Sequence, residues 1–62
     1  MKRRQLIKHL HDQGCVIDRE GGGHTIYINP KNGKKAPVPR HTEIDDVLAK
    51  KICRQLEVAS IK

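Results

Sequence analysis

The chain has no phenylalanine and no tryptophan, and Tyr27 is its only aromatic residue. Large aromatic side chains supply much of the burial in ordinary cores. A core built here from Ile, Leu, Val, Ala and Cys is therefore thin. A chain of 62 residues buries only ~60% of its unfolded surface, which points to one small domain over 1–62. The shortage of aromatics also excludes a base-stacking platform of the single-strand-binding kind. Cysteine is scarce as well. Cys15 and Cys53 form no CxxC pair and no disulfide-rich framework, so nothing suggests secretion. Both read as small buried residues in a reduced cytoplasm. No apolar run reaches signal or membrane-spanning length, so the expectation is a cytoplasmic chain with no membrane contact.

Acidic residues are few, seven against thirteen Lys and Arg, giving a formal charge of +6. Such charge density predicts a polyanionic partner, most often nucleic acid. Most of the acids fall in two groups, Asp18 with Glu20 and Glu43 with Asp45 and Asp46. They read as strand-face and helix-start residues rather than a magnesium site. The two cysteines and scattered histidines match no zinc spacing. No metal and no small-molecule cofactor is expected.

Lys2 to Gln13 reads as a helix, with Leu6, Ile7 and Leu10 on its apolar stripe and Gly14 as its stop. Lys2, Arg3, Arg4 and Lys8 fall on its outer side. Cys15 to Glu20 reads as a first strand centred on Val16 and Ile17, and Gly21 to Gly23 as a turn. His24 to Asn29 is a second strand, with His24, Ile26 and Ile28 on one face and Thr25 and Tyr27 on the other. Pro30-Lys31-Asn32-Gly33 is a turn. Lys34 to Arg40 is a third strand whose Pro37 and Pro39 assign it to a sheet edge. Thr42 and Asp45 resemble a capping box. Ile44, Leu48, Ile52 and Leu56 then recur every four residues, predicting an amphipathic helix to about Glu57. The expected fold is α+β, in the order αβββα. A three-stranded antiparallel meander carries both helices on one face, and the other, polar face is left available.

Three glycines run directly into His24. Glycine leaves the backbone bare for close approach, and histidine gives or takes a proton near neutral pH. The run is not a P-loop, since no Gly-Lys-Ser/Thr and no helix follows it. A tight or mobile turn is one reading of it, and close phosphate approach at Gly22 and Gly23 the other.

The αβββα order, the stretch Arg19-Glu20-Gly21-Gly22-Gly23-His24 and the later Val38-Pro39-Arg40-His41-Thr42-Glu43-Ile44 together resemble the HicA toxins. The basic first helix with Lys8 and Leu10, then Gly14-Cys15, and the closing Ile52-Cys53-Arg54-Gln55-Leu56 extend the resemblance over nearly the whole chain. The resemblance implies a double-stranded-RNA-binding-domain-like fold. It also implies a ribonuclease of a HicA–HicB toxin–antitoxin pair that cleaves messenger RNA and is neutralised by a HicB-like antitoxin. It carries the family's functional histidine onto His24. Many members have Ser before that histidine and Pro-Gly-Thr at the start of the last helix. This chain has Gly23 and Asp45-Asp46-Val47 there.

RNA is cleaved without a metal when its own 2′-hydroxyl attacks the neighbouring phosphate. A histidine that moves the proton gains ~100- to 10,000-fold, and cations stabilise the developing charge. His24 is the candidate proton-transfer residue. The competing reading, from its alternation with Ile26 and Ile28, is a core histidine between sheet and helices. His41 is either a second proton-transfer group or a helix-flank residue, and His9 and His11 read as surface residues. Candidate RNA-binding residues are Arg19, Gly22, Gly23, Lys34 and Lys35, with Lys8 on the first helix and Lys51 on the last. Basic groups on two helices and a turn fit shape-based contact with RNA backbone. The alternatives to an endoribonuclease are a non-catalytic RNA-binding module and a purely structural partner domain.

Overall fold

Leu6 and Leu10 lie one helical turn apart, and both are fully buried because α1 (Arg3–Asp12) turns that stripe onto a sheet. The computed structural model describes residues 1–61. After α1, Gly14 takes a positive φ of +89°, which glycine adopts without strain, and the chain turns into β1 (Val16–Gly21). β2 (His24–Asn29), β3 (Lys34–Pro39) and α2 (Asp46–Leu56) follow. The sheet order is β1-β2-β3, with both pairings antiparallel. The expected αβββα architecture is what the chain forms.

Both helices lie on one face of the meander. Leu6 and Leu10 from α1 and Ala49, Ile52, Cys53 and Leu56 from α2 form one buried cluster with Tyr27, Ala36 and Val38 of the sheet. The face of β2 that enters this cluster is the polar one. Thr25, Tyr27 and Asn29 are buried, whereas Ile26 and Ile28 are half-buried and His24 is exposed. Each buried polar tip has a partner, which removes the penalty for burying it. Asn29 Nδ2 donates to the Leu56 carbonyl at 2.8 Å, the Tyr27 hydroxyl meets His11 Nε2 at 3.2 Å, and Thr25 Oγ1 donates to Glu20 at 2.8 Å. The core reading of His24 is therefore overturned. The uncovered face is likewise not the polar one expected, because it carries Ile26 and Ile28.

Three further differences concern packing. β1 is an edge strand beyond helix cover, so Val16 and Ile17 are each 48% exposed, and Cys15, just before it, is the residue buried. A bulge between Ile17 and Arg19 bends this edge. α2 starts two residues after Ile44, at Asp46, with Asp45 as N-cap accepting from the Val47 amide at 3.2 Å. Ile44 is buried from the preceding segment instead. The stripe of α2 consequently runs through Ala49, Ile52, Cys53 and Leu56, while Leu48 is only half-buried and Val47 is exposed. No described helix is long and apolar enough to cross a membrane.

β3 lies at the other edge, as its two prolines require. The segment after it is pinned across α1. Arg3 N donates to the Thr42 carbonyl, Ile44 N donates to the Met1 carbonyl, both at 2.8 Å, and Lys2 bridges to Glu43.

Candidate functional site

The β1–β2 hairpin closes on the pair Gly21↔His24, which leaves Gly22 and Gly23 as a two-residue turn. Gly23 has a φ of +75°, so a side chain there is strained. Space above both turn glycines is open: a Cβ at either would meet nothing within 4 Å. His24 leads out of this turn as the first residue of β2. Its neighbours across the ladders are Gly21 on β1 and Pro39 on β3, and its side chain is exposed.

Register decides which candidates share the His24 face, because residues directly opposite in a sheet point the same way. Arg19 faces Ile26 and Lys35 faces Ile28. Both therefore lie on the open face with His24. Arg19 is two residues along and one strand across from His24, about 8 Å between backbones, and Lys35 four residues along and one strand across, about 14 Å, at ~3.3 Å per residue and ~4.8 Å between strands. Lys35 is ion-paired with Asp18 at 3.2 Å. The open face thus presents a histidine and a nearby arginine beside an apolar strip of Ile26, Ile28 and Val16. Lys34 sits opposite Asn29, at the far end of the sheet and on its helix side. Lys8 and Lys51 lie exposed on α1 and α2. These three are not gathered with His24. His41 is exposed in the segment between β3 and α2.

Behind His24, four side chains hold the end of the sheet. Arg40 Nη2 donates to the Glu20 carboxylate and to the His24 carbonyl, the latter at 3.2 Å. Arg40 N donates to the Gly23 carbonyl at 3.3 Å. Arg3 Nε donates to the Pro39 carbonyl at 2.8 Å and its Nη2 to Thr25 Oγ1 at 3.2 Å. Hydrogen bonds from Thr25 and then Arg40 hold the Glu20 carboxyl below its usual range. This network fixes the backbone on both sides of His24 while leaving the ring exposed. Sequence reasoning missed it. Arg3 read as an outer-face cation, yet it turns inward over β2 and β3. Only Glu20 and Arg40 carried any signal, each within a stretch that carries the family resemblance.

Among the described residues, no three His, Cys, Asp or Glu side chains are placed to hold a metal ion. The arrangement offers an exposed imidazole on the same sheet face as the Arg19 guanidinium. Residues 3–58, which include the whole of this arrangement, match the family model for the HicA toxin of bacterial toxin–antitoxin. The chain belongs to the HicA toxin family. The HicA match runs from the first residue of α1 past the end of α2, so it takes in all five elements. Among curated proteins, cytoplasmic tRNA 2-thiolation protein 1 of Kluyveromyces lactis is 42% identical over 43 residues. That stretch is 66% of this chain and 12% of that protein. No solved structure matches the chain.

Proposed function

We propose that this HicA-family chain is a metal-independent endoribonuclease that cleaves messenger RNA. It is the toxin of a type II pair, acts in the cytoplasm and is neutralised by a HicB-like antitoxin. The observation that carries the reading is the exposed His24 at the mouth of β2, beside an open two-glycine turn and on the same face as Arg19.

In this reaction the RNA 2′-oxygen forms a bond to phosphorus and the bond from phosphorus to the 5′-oxygen breaks. His24 in its neutral form takes the 2′-hydroxyl proton, or in its charged form gives one to the leaving 5′-oxygen. Water serves the other transfer. The products are a 2′,3′-cyclic phosphate and a 5′-hydroxyl. Arg19 offsets charge that builds on the phosphoryl oxygens. Gly22 and Gly23 let the backbone approach without a side chain in the way, and Lys35, on the same face, extends the contact toward the far end of the sheet. The net charge of +6 suits both an RNA substrate and an acidic antitoxin.

The test is RNA cleavage by the purified chain in EDTA, with wild type beside His24→Ala. His24 is exposed, so the variant melts with the wild type while cleavage falls ~100- to 10,000-fold. Equal cleavage by both would remove His24 from the chemistry. RNA binding without cleavage by either would make the chain a non-catalytic RNA-binding module.

A further inference from the structure

A groove of about 640 Å³ runs along α1 on the helix side of the molecule, away from the open face that carries the His24 ring. It is lined by Lys2, Arg3, Arg4, Lys8, Arg40 and His11, with the half-buried Ile7 as an apolar patch. No carboxylate lines it.

The cations differ in how they are balanced. Lys2 and Lys8 make exposed pairs with Glu43 and Asp12 at 3.5 and 3.2 Å. Such pairs are weak and open readily to a stronger anion. Arg40 is paired with Glu20. Arg3 is half-buried, and its hydrogen bonds go to a carbonyl and a hydroxyl, both neutral. Arg4 is exposed and enters no ion pair among the described residues. The groove therefore holds a half-buried guanidinium hydrogen-bonded only to neutral groups, with the Glu20 carboxylate on the far side of Thr25, next to the exposed cations Lys2, Arg4 and Lys8. Arginine held in this way favours the oxygens of a phosphate.

Arg40 connects the groove to the candidate catalytic face. The residue that lines the groove also donates to the His24 carbonyl. The two surfaces thus meet at the end of the sheet where β2 begins. A nucleic-acid strand needs phosphates met at intervals and somewhere apolar for a ribose or base to rest. Arg3, Arg4 and Lys8 supply the first, and Ile7 the second.

We propose that this α1 groove is an RNA-backbone subsite. It holds the phosphates of a strand that passes around Arg40 to reach His24. The proposal rests on the ribonuclease reading above for its ligand. Its own content is the place, on the helix side, where the substrate is held.

The experiment uses a 2′-O-methyl oligoribonucleotide, which lacks the attacking hydroxyl and so binds without being cleaved. Anisotropy titrations compare wild type, His24→Ala and the double variant Arg4→Ala/Lys8→Ala over a series of salt concentrations. Both α1 residues are exposed, and equal melting temperatures confirm that the double variant is folded. The double variant is expected to bind roughly tenfold more weakly. Its slope of log affinity against log salt becomes shallower by about 1.4, from ~0.7 for each lost phosphate contact on a single strand. His24→Ala keeps the wild-type affinity and slope. Amide chemical-shift changes on adding the oligonucleotide are expected along Arg4, Ile7, Lys8 and His11 as well as at the hairpin. Shifts confined to the hairpin and the open face, with an unchanged slope, would overturn the groove and leave the ribonuclease reading standing. Groove binding without any cleavage of unmodified RNA would sustain the groove and overturn the ribonuclease. Equal competition by polyglutamate would overturn the RNA assignment in favour of an acidic protein segment.

Discussion

Glu20 shows how one residue links the sheet end to pH. Its carboxyl is held below the ordinary value of 4.5 by the Thr25 hydroxyl and the Arg40 guanidinium. A carboxylate with a lowered folded pKa adds stability that is present above the unfolded value and lost as pH falls through the folded one. The difference in melting temperature between wild type and Glu20→Gln should be largest at neutral pH and shrink once pH drops below about 4.5. A difference that stays constant from pH 7 to pH 3 would mean that Glu20 is as well protonated as ionised in the fold. At the same scale, the buried polar side chains were the least legible in the sequence. Asn29 reads as a strand-end or turn residue, but it donates to the last carbonyl of α2 across the core. Thr25 reads as a generic strand residue, but it bridges Glu20 and Arg3. Hydrogen-bond partners 5 to 27 residues apart leave no mark in local periodicity.

At the scale of elements, helix and strand boundaries were legible wherever local chemistry sets them. Gly14 ends α1, the Gly22-Gly23 turn opens β2, and Pro37 and Pro39 put β3 at an edge. The start of α2 was less so, because Thr42 and Asp45 both have side chains that cap helices. Asp45 takes the role, and its side chain accepts from Val47. Thr42 is instead drawn into a backbone pairing with Arg3. Losing an N-cap carboxylate typically costs ~1 kcal/mol. In a domain of this size that corresponds to a melting temperature lower by about 4–8 °C. Asp45→Ala should show such a drop, and Thr42→Val should show a smaller one because the Thr42 bond uses only its carbonyl. Equal losses would reassign the cap. The exposure of β1 was not legible for a different reason. Val16 and Ile17 have the composition of an interior strand, but two short helices reach only as far as β2 and β3, and the strand left over is exposed.

For the whole molecule, the choice of buried face is what composition and alternation failed to settle. β2 offers Ile26 and Ile28 on one side and Thr25, Tyr27 and Asn29 on the other. Hydrophobicity alone favours burying the isoleucines. The fold buries Tyr27, the largest side chain in the core, together with two polar residues whose hydrogen bonds are all satisfied among the described residues. That choice sends His24 out to solvent and leaves an apolar strip on the open face, where an antitoxin of the proposed kind would find both the histidine and surface to bury. It also fixes where the free chain is vulnerable. At ~0.05–0.15 kcal/mol per residue, a chain of 62 residues holds about 3–9 kcal/mol of stability. Leu10→Ala, at a fully buried position, should cost about 2–5 kcal/mol, a large share of that total. Val16→Thr keeps the side-chain shape on the half-exposed edge and should change stability by less than about 1 kcal/mol. Urea unfolding of the two variants beside wild type checks both. A Val16 variant as damaged as the Leu10 variant would mean that β1 is covered in solution, and a second copy of the chain is the first cover to test, by measuring whether stability rises with protein concentration.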